Sequence, residues 1–230
     1  MKWKNLLWTG VSLLLLFVFW TILIQTIDVR MVGPKDARVG FASWNTWFHK
    51  QTGVNMTLYT VTDWLGLLPV LICGCFGLLG LWQWIHRKKI LQVDHDILFL
   101  GVYYLLVIVG YLLFEMVPIN YRPVLIEGYL EASYPSSTTL LVLSVMPTLK
   151  FQTDRRCKKR VFRSLMTILT ILFSLFMAAG RLLSGVHWVT DIIGSVFLSN
   201  GLFLLYAAMV NRADQKKTAT VPWGENYGIS

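Results

Sequence analysis

A histidine and an aspartate stand four residues apart, His187 and Asp191, in the stretch Gly180-Arg181-Leu182-Leu183-Ser184-Gly185-Val186-His187-Trp188-Val189-Thr190-Asp191. At the start of a helix that spacing puts both on one face, where Asp191 can accept a hydrogen bond from one imidazole nitrogen and fix the tautomer. The other nitrogen is then left as a nucleophile or base. Arg122 and Arg181 each offer a planar fork suited to phosphate oxygens. Pro135, Ser136, Ser137 and Thr138 have the proline and hydroxyls of a helix start, whose free backbone amides favour an anion. Alone, each feature has a plainer reading: a satisfied hydrogen bond, an arginine anchored at a helix end, a cap. Together they describe a phosphate pocket with a histidine aimed into it.

The elements that must position these groups are membrane spans. In this 230-residue chain 55% of residues are hydrophobic and 14% charged, against about a quarter charged in ordinary soluble domains. Six stretches are long and apolar enough to be spans, near 5–27, 62–85, 96–118, 136–150, 164–183 and 188–210, the fourth being short. The first follows a basic start but meets no small-residue cleavage site, so it reads as a retained helix and not a signal peptide. The fold class is therefore all-α: a polytopic bundle of six transmembrane helices over residues 1–211, followed by a polar tail, 212–230.

The formal charge of +9 comes from short clusters between apolar runs, a pattern that sets topology and does not suggest nucleic acid. With the N-terminus inside, the cytoplasmic side gathers Lys2, Lys4, Arg87 to Lys89, Lys150, Arg155 to Arg163, Arg212, Lys216 and Lys217. Both termini then lie inside, and the candidate site faces outward. The outer segment 28–61 carries Trp44, Trp47 and Phe48, which suit the headgroup layer either as a lid or, more simply, as an interfacial anchor. Cys73, Cys75 and Cys157 lack the spacing of a disulfide framework or a zinc site. No acidic cluster stands at metal-ligand spacing, so neither a metal nor another cofactor is expected. The chain suits a bacterial cytoplasmic membrane, and oligomeric state is not legible.

The site residues resemble the signature of the type 2 phosphatidic acid phosphatase family, which includes undecaprenyl-diphosphate phosphatases and is related to glucose-6-phosphatase and the sphingomyelin synthases. That signature reads K-x6-R-P, then P-S-G-H, then S-R-x5-H-x3-D. Here Arg181, His187 and Asp191 keep the third motif, with Gly180 in place of the serine before the arginine. Arg122-Pro123 keeps the end of the first, with Glu115 at the lysine position. Pro135-Ser136 opens the second, with Ser137 for glycine and Thr138 for histidine. The order, the spacing and the spans extend the resemblance over about residues 60–210.

The resemblance implies a six-helix core with its site at the outer helix ends, and a membrane lipid phosphate or diphosphate as substrate. His187 would attack phosphorus to form a phosphohistidine and Asp191 would orient it. Arg122, Arg181, Ser136, Ser137 and Thr138 would surround the phosphoryl oxygens. The family's general acid falls at position 138, and threonine is far too weak an acid for that role near neutral pH. Three outcomes follow. The substrate can be a diphosphate whose leaving group needs little protonation. Another acid can substitute, with Glu131, Glu127 or Glu115 in range, although Glu115 is expected to pair with an arginine. Or the pocket binds phospholipid or polyprenyl phosphate without turnover. A head-group transferase would share the first step.

Overall fold

The computed structural model describes residues 2–219, which form eight α-helices and a two-stranded ribbon. Helix α1 spans Trp3–Thr26, and the strands β1 (Arg30–Met31) and β2 (Arg38–Val39) pair antiparallel before α2 (Ala42–Thr52). Helices α3 (Met56–Leu65) and α4 (Leu67–Arg87) run on from one another through Gly66. There follow α5 (His95–Met116), α6 (Ser137–Arg156), α7 (Arg160–Leu183) and α8 (Val189–Ala219).

Among the described residues five helices are long and apolar enough to cross a membrane: α1, the α3–α4 rod, α5, α7 and α8. The short stretch expected as the fourth span is α6, which falls outside that set. Its buried residues include Thr139, Ser144, Thr148 and Gln152. The physical reason is its position, since α6 touches α4, α5, α7 and α8 and faces protein where the others face lipid. Interhelical hydrogen bonds tie this polar face to its neighbours. Tyr103 Oη donates to the Ser144 carbonyl at 2.9 Å, Tyr104 and Thr148 hydroxyls meet at 2.8 Å, and Gln152 Nε2 donates to Tyr206 Oη at 2.6 Å.

Helix α8 continues to Ala219, into the polar stretch that begins at 212, and Asp214 on it meets Arg155 at 2.7 Å and His95 at 2.8 Å; positions 220–230 lie outside the described residues. The segment 28–61 is no free loop: it carries α2 and the first turns of α3.

The helices α5, α6 and α8 bring one end of the bundle together through charge. Arg155 reaches Asp96 at 3.2 Å and Asp214 at 2.7 Å, Arg156 reaches Asp96 at 2.8 Å, and Arg87 on α4 reaches Asp94 at 2.8 Å. The candidate site lies at the other end.

Candidate active site

His187 sits in the short turn between α7 and α8, and its position depends on that turn being tight. Gly185 has φ +70°, and a Cβ there would fall 2.1 Å from the Gly53 carbonyl oxygen, so both conformation and space demand glycine. Residues at the ends of α2 and α3 clasp the same turn. His49 Nε2 donates to the Gly185 carbonyl at 3.1 Å, and the Asn55 amide donates to the Ser184 carbonyl at 3.0 Å.

Trp188 caps α8, and Asp191, three residues on, reaches back to accept the Trp188 amide at 2.9 Å. This is one half of a capping box. Its Oδ2 also lies 3.5 Å from His187 Nδ1, beyond a good hydrogen bond. The nearer acceptor is the Ser133 carbonyl, to which Nδ1 donates at 3.1 Å. The expected imidazole-to-Asp191 hydrogen bond is thus replaced by a backbone one, with the carboxylate beside it and its Oδ2 on the Trp188 amide. Either way the proton stays on Nδ1, and Nε2 is buried without a hydrogen-bond partner.

Arg122 is delivered by a hairpin. Residues 119–133 form a hairpin: Tyr121 bridges Ala132, the Arg122 amide donates to the Glu131 carbonyl, and the tip turns through Glu127 and Gly128, both at positive φ. Positive φ at both central residues is the turn that matches strand twist. Cross-strand pairing also sets the Glu131 carboxylate 3.0 Å from Arg122 Nε. Glu131 is therefore tied to an arginine and is not a free acid, while Glu127 stands exposed at the hairpin tip. Glu115, at the end of α5, is exposed and lines a small crevice with Tyr111 and Tyr134. The arginine pairing expected of Glu115 is instead made by Glu131 to Arg122 and by Asp63 to Arg181.

Arg181, in the last turn of α7, is 1% exposed. Its guanidinium stacks over the Tyr59 ring at 4.7 Å, and Nη1 lies 3.4 Å from Asp63 Oδ1. Arg122 Nη1 and Arg181 Nε join His187 Nε2 as buried atoms without a hydrogen-bond partner. Buried polar atoms are almost always satisfied, so two arginine nitrogens beside an unpartnered imidazole nitrogen mark a place suited to an anion. Burial, and then the positive charge of Arg122 and Arg181, holds His187 well below its ordinary pKa. The ring is neutral and Nε2 carries a lone pair.

Ser136 is fully buried and turned inward, its hydroxyl donating to Thr139 Oγ1 at 3.0 Å while its carbonyl accepts from Ser195 Oγ at 3.0 Å. Its side chain is spent on the start of α6, whose first-turn amides have no partner within the helix. Ser137 and Thr138 line a cavity of about 310 Å³ with Asp63, Gly66, Leu67, Val107, Ile108, Tyr111, Leu140 and Leu141.

The sequence reading missed Asn45, His49, Tyr59, Asp63 and Ser133. Asn45 is buried and donates to the Gly40 carbonyl at 2.8 Å and to Thr190 Oγ1 at 3.0 Å. Only the polar residues of a tryptophan-bearing segment hinted at this clasp, and Asp63 carried no signal beyond lying near a span end.

Residues 71–215 match the family model described as the PAP2 superfamily. The chain belongs to the PAP2 superfamily. The fold is similar to the crystal structure of a transmembrane PAP2-type phosphatidylglycerolphosphate phosphatase from Bacillus subtilis, with a TM-score of 0.60 and 21% identity over 91% of this chain and 97% of that one. At that identity the likeness speaks for the fold. No curated protein matches the sequence. The geometry brings Arg122, Arg181, His187 and Asp191 to one end of the bundle.

Proposed function

We propose that the protein is a metal-independent phosphatase of lipid phosphates or lipid and polyprenyl diphosphates, acting through a phosphohistidine on His187. The observation that carries this reading is the buried, neutral His187 with an unpartnered Nε2 beside two arginines that keep unpartnered donors. Superfamily membership and the PAP2-type fold support the same reading.

In the first step Nε2 attacks phosphorus and the bond to the leaving oxygen breaks. Arg122 and Arg181 hold the equatorial oxygens and oppose their growing charge, with the amides at the start of α6 beside them. Nδ1 keeps its proton on the Ser133 carbonyl, and the adjacent Asp191 carboxylate steadies the cationic ring of the intermediate. Thr138 can supply no proton to the leaving group, which favours a leaving group that departs as a stable anion, such as a lipid monophosphate released from a diphosphate.

A lipid substrate also fits the cavity, whose site end is Asp63, Ser137 and Thr138 and whose continuation is Leu67, Val107, Ile108, Leu140 and Leu141. In this reading α6 is the sixth span, both termini are cytoplasmic and the site faces outward in a bacterial cytoplasmic membrane. The positive-inside tendency supports that orientation, since Arg87, Arg155, Arg156 and Lys217 gather at the end opposite His187.

The test is phosphate release by purified protein in detergent with chelator present, comparing a prenyl diphosphate, phosphatidic acid and phosphatidylglycerol phosphate. Release fastest from the diphosphate, and lost in His187→Ala, is expected. Thr138→His should then raise release from the two monoesters more than from the diphosphate. A second reading, a pocket that binds lipid phosphate without turnover, draws on Thr138; it predicts binding of all three with no release.

A further inference from the structure

Asp63 is a carboxylate at the reaction site that no motif supplies. It lies on α3, where Tyr59 stacks under Arg181 and Asp63 Oδ1 stands 3.4 Å from Arg181 Nη1. A charge-assisted pair held for its own sake closes to about 2.7–2.9 Å, so this carboxylate is loosely held. Its side chain is 57% exposed, whereas the arginine it faces is buried. Asp63 also shares the walls of one cavity with Ser137 and Thr138.

The chain is built to bring α3 this close. A Cβ on Gly180 would meet Thr62 Cγ2 at 2.7 Å, so any side chain there would push α3 off α7. A Cβ on Gly66 would fall 2.9 Å from the Asp63 carbonyl and 3.2 Å from Thr138 Cγ2. The end of α3 is thus packed directly on the first turn of α6, where the threonine stands. Of the other carboxylates at this end, Glu131 lies on Arg122 at 3.0 Å, Asp191 accepts the Trp188 amide, Glu127 stands at the hairpin tip, and Glu115 stands exposed at the end of α5, outside the cavity that Asp63 shares with Thr138.

We propose that Asp63 is the general base that activates water to resolve the phosphohistidine, taking over a proton-transfer duty that Thr138 cannot perform. This rests on the phosphohistidine reading above. In the resolving step a water oxygen attacks phosphorus while one of its protons passes to the Asp63 carboxylate. The P–N bond breaks, its electron pair returns to His187 Nε2, and inorganic phosphate leaves. The ring entered this step as a cation with Nδ1 protonated, so it ends neutral. The division of labour is consistent with a substrate whose first step needs no acid.

The experiment is rapid-quench kinetics of wild type, Asp63→Asn, Asp63→Glu and His187→Ala with a prenyl diphosphate labelled in its terminal phosphate. Asp63→Asn should release lipid monophosphate in a single burst near the wild-type rate. Phosphate release should then be slowed by about 10²-fold or more, with label held on the protein in acid-labile, alkali-stable form. Asp63→Glu should restore part of the second step. If Asp63→Asn slows the burst and phosphate release together, or neither, with no label retained, Asp63 merely props Arg181 and the proposal falls while the phosphohistidine reading stands. A wild type that releases no phosphate, or a His187→Ala variant that still does, overturns both.

Discussion

Arg155 and Arg156 at one end of the bundle have side chains 26% and 33% exposed, and each meets the Asp96 carboxylate, with Asp214 added for Arg155. Arg122 and Arg181 at the other end are 9% and 1% exposed, yet their carboxylates stand at 3.0 and 3.4 Å and each keeps a buried nitrogen without a hydrogen-bond partner. Stability alone would arrange this the other way, because desolvating a charge is costly unless it is well paired. The end with better-satisfied charges joins helices. The end with poorly satisfied charges has been left ready for something else, and the neutral histidine among them says that this is an anion to be attacked.

The comparison can be broken most severely at His187. His187→Ala should lower hydrolysis by about 10⁴-fold or more while the protein still folds, because removing a nucleophile removes the path and not one contribution to it. Next come the two arginines. Arg181→Lys or Arg122→Lys should lower kcat/KM by about 10²–10³-fold, since a lysine keeps the charge but not the fork. Asp191→Asn keeps the oxygen that caps α8 and loses the charge beside Nδ1; with the Ser133 carbonyl still holding the ring, about 10–100-fold is expected. The smallest effect on activity belongs to the far end. Asp96→Asn should leave turnover per folded molecule unchanged and lower stability by about 1 kcal/mol, seen as an earlier thermal unfolding transition in detergent.

The pH profile sharpens the same contrast. Burial and the two arginines hold His187 neutral to well below its ordinary value. Because the neutral ring is the nucleophile, activity should persist on acidification past the ordinary histidine value of about 6.5 and be lost only well below it. Arg122→Ala should move that acidic limb upward, since less positive charge then opposes protonation. The far-end variant should leave the limb where it is. A limb that stays fixed in Arg122→Ala would mean that the arginine does not act on the histidine.

What could be read in the sequence was what short spacing and hydropathy encode. The spans, the His187 to Asp191 pair and both arginines came from patterns along the chain, and PAP2 membership bears out the resemblance they carried. Hydropathy could not describe α6 as a buried helix, because its neighbours decide what it faces. Long-range pairings were out of reach for a like reason. Glu131 was a free candidate acid until the hairpin set it across from Arg122. Asp63 lies 118 positions from Arg181, and only the packing of α3 on α7 joins them. The Ser133 carbonyl was invisible because a backbone acceptor carries no residue type.

The central claim is that phosphorus passes through His187. The most direct measurement is the stereochemical course at phosphorus, using a diphosphate substrate made chiral at its terminal phosphorus and hydrolysed in isotopically labelled water. Two in-line displacements, first by His187 and then by water, predict retention of configuration. Inversion would mean that water attacks the substrate directly, and His187 would then be a base at most.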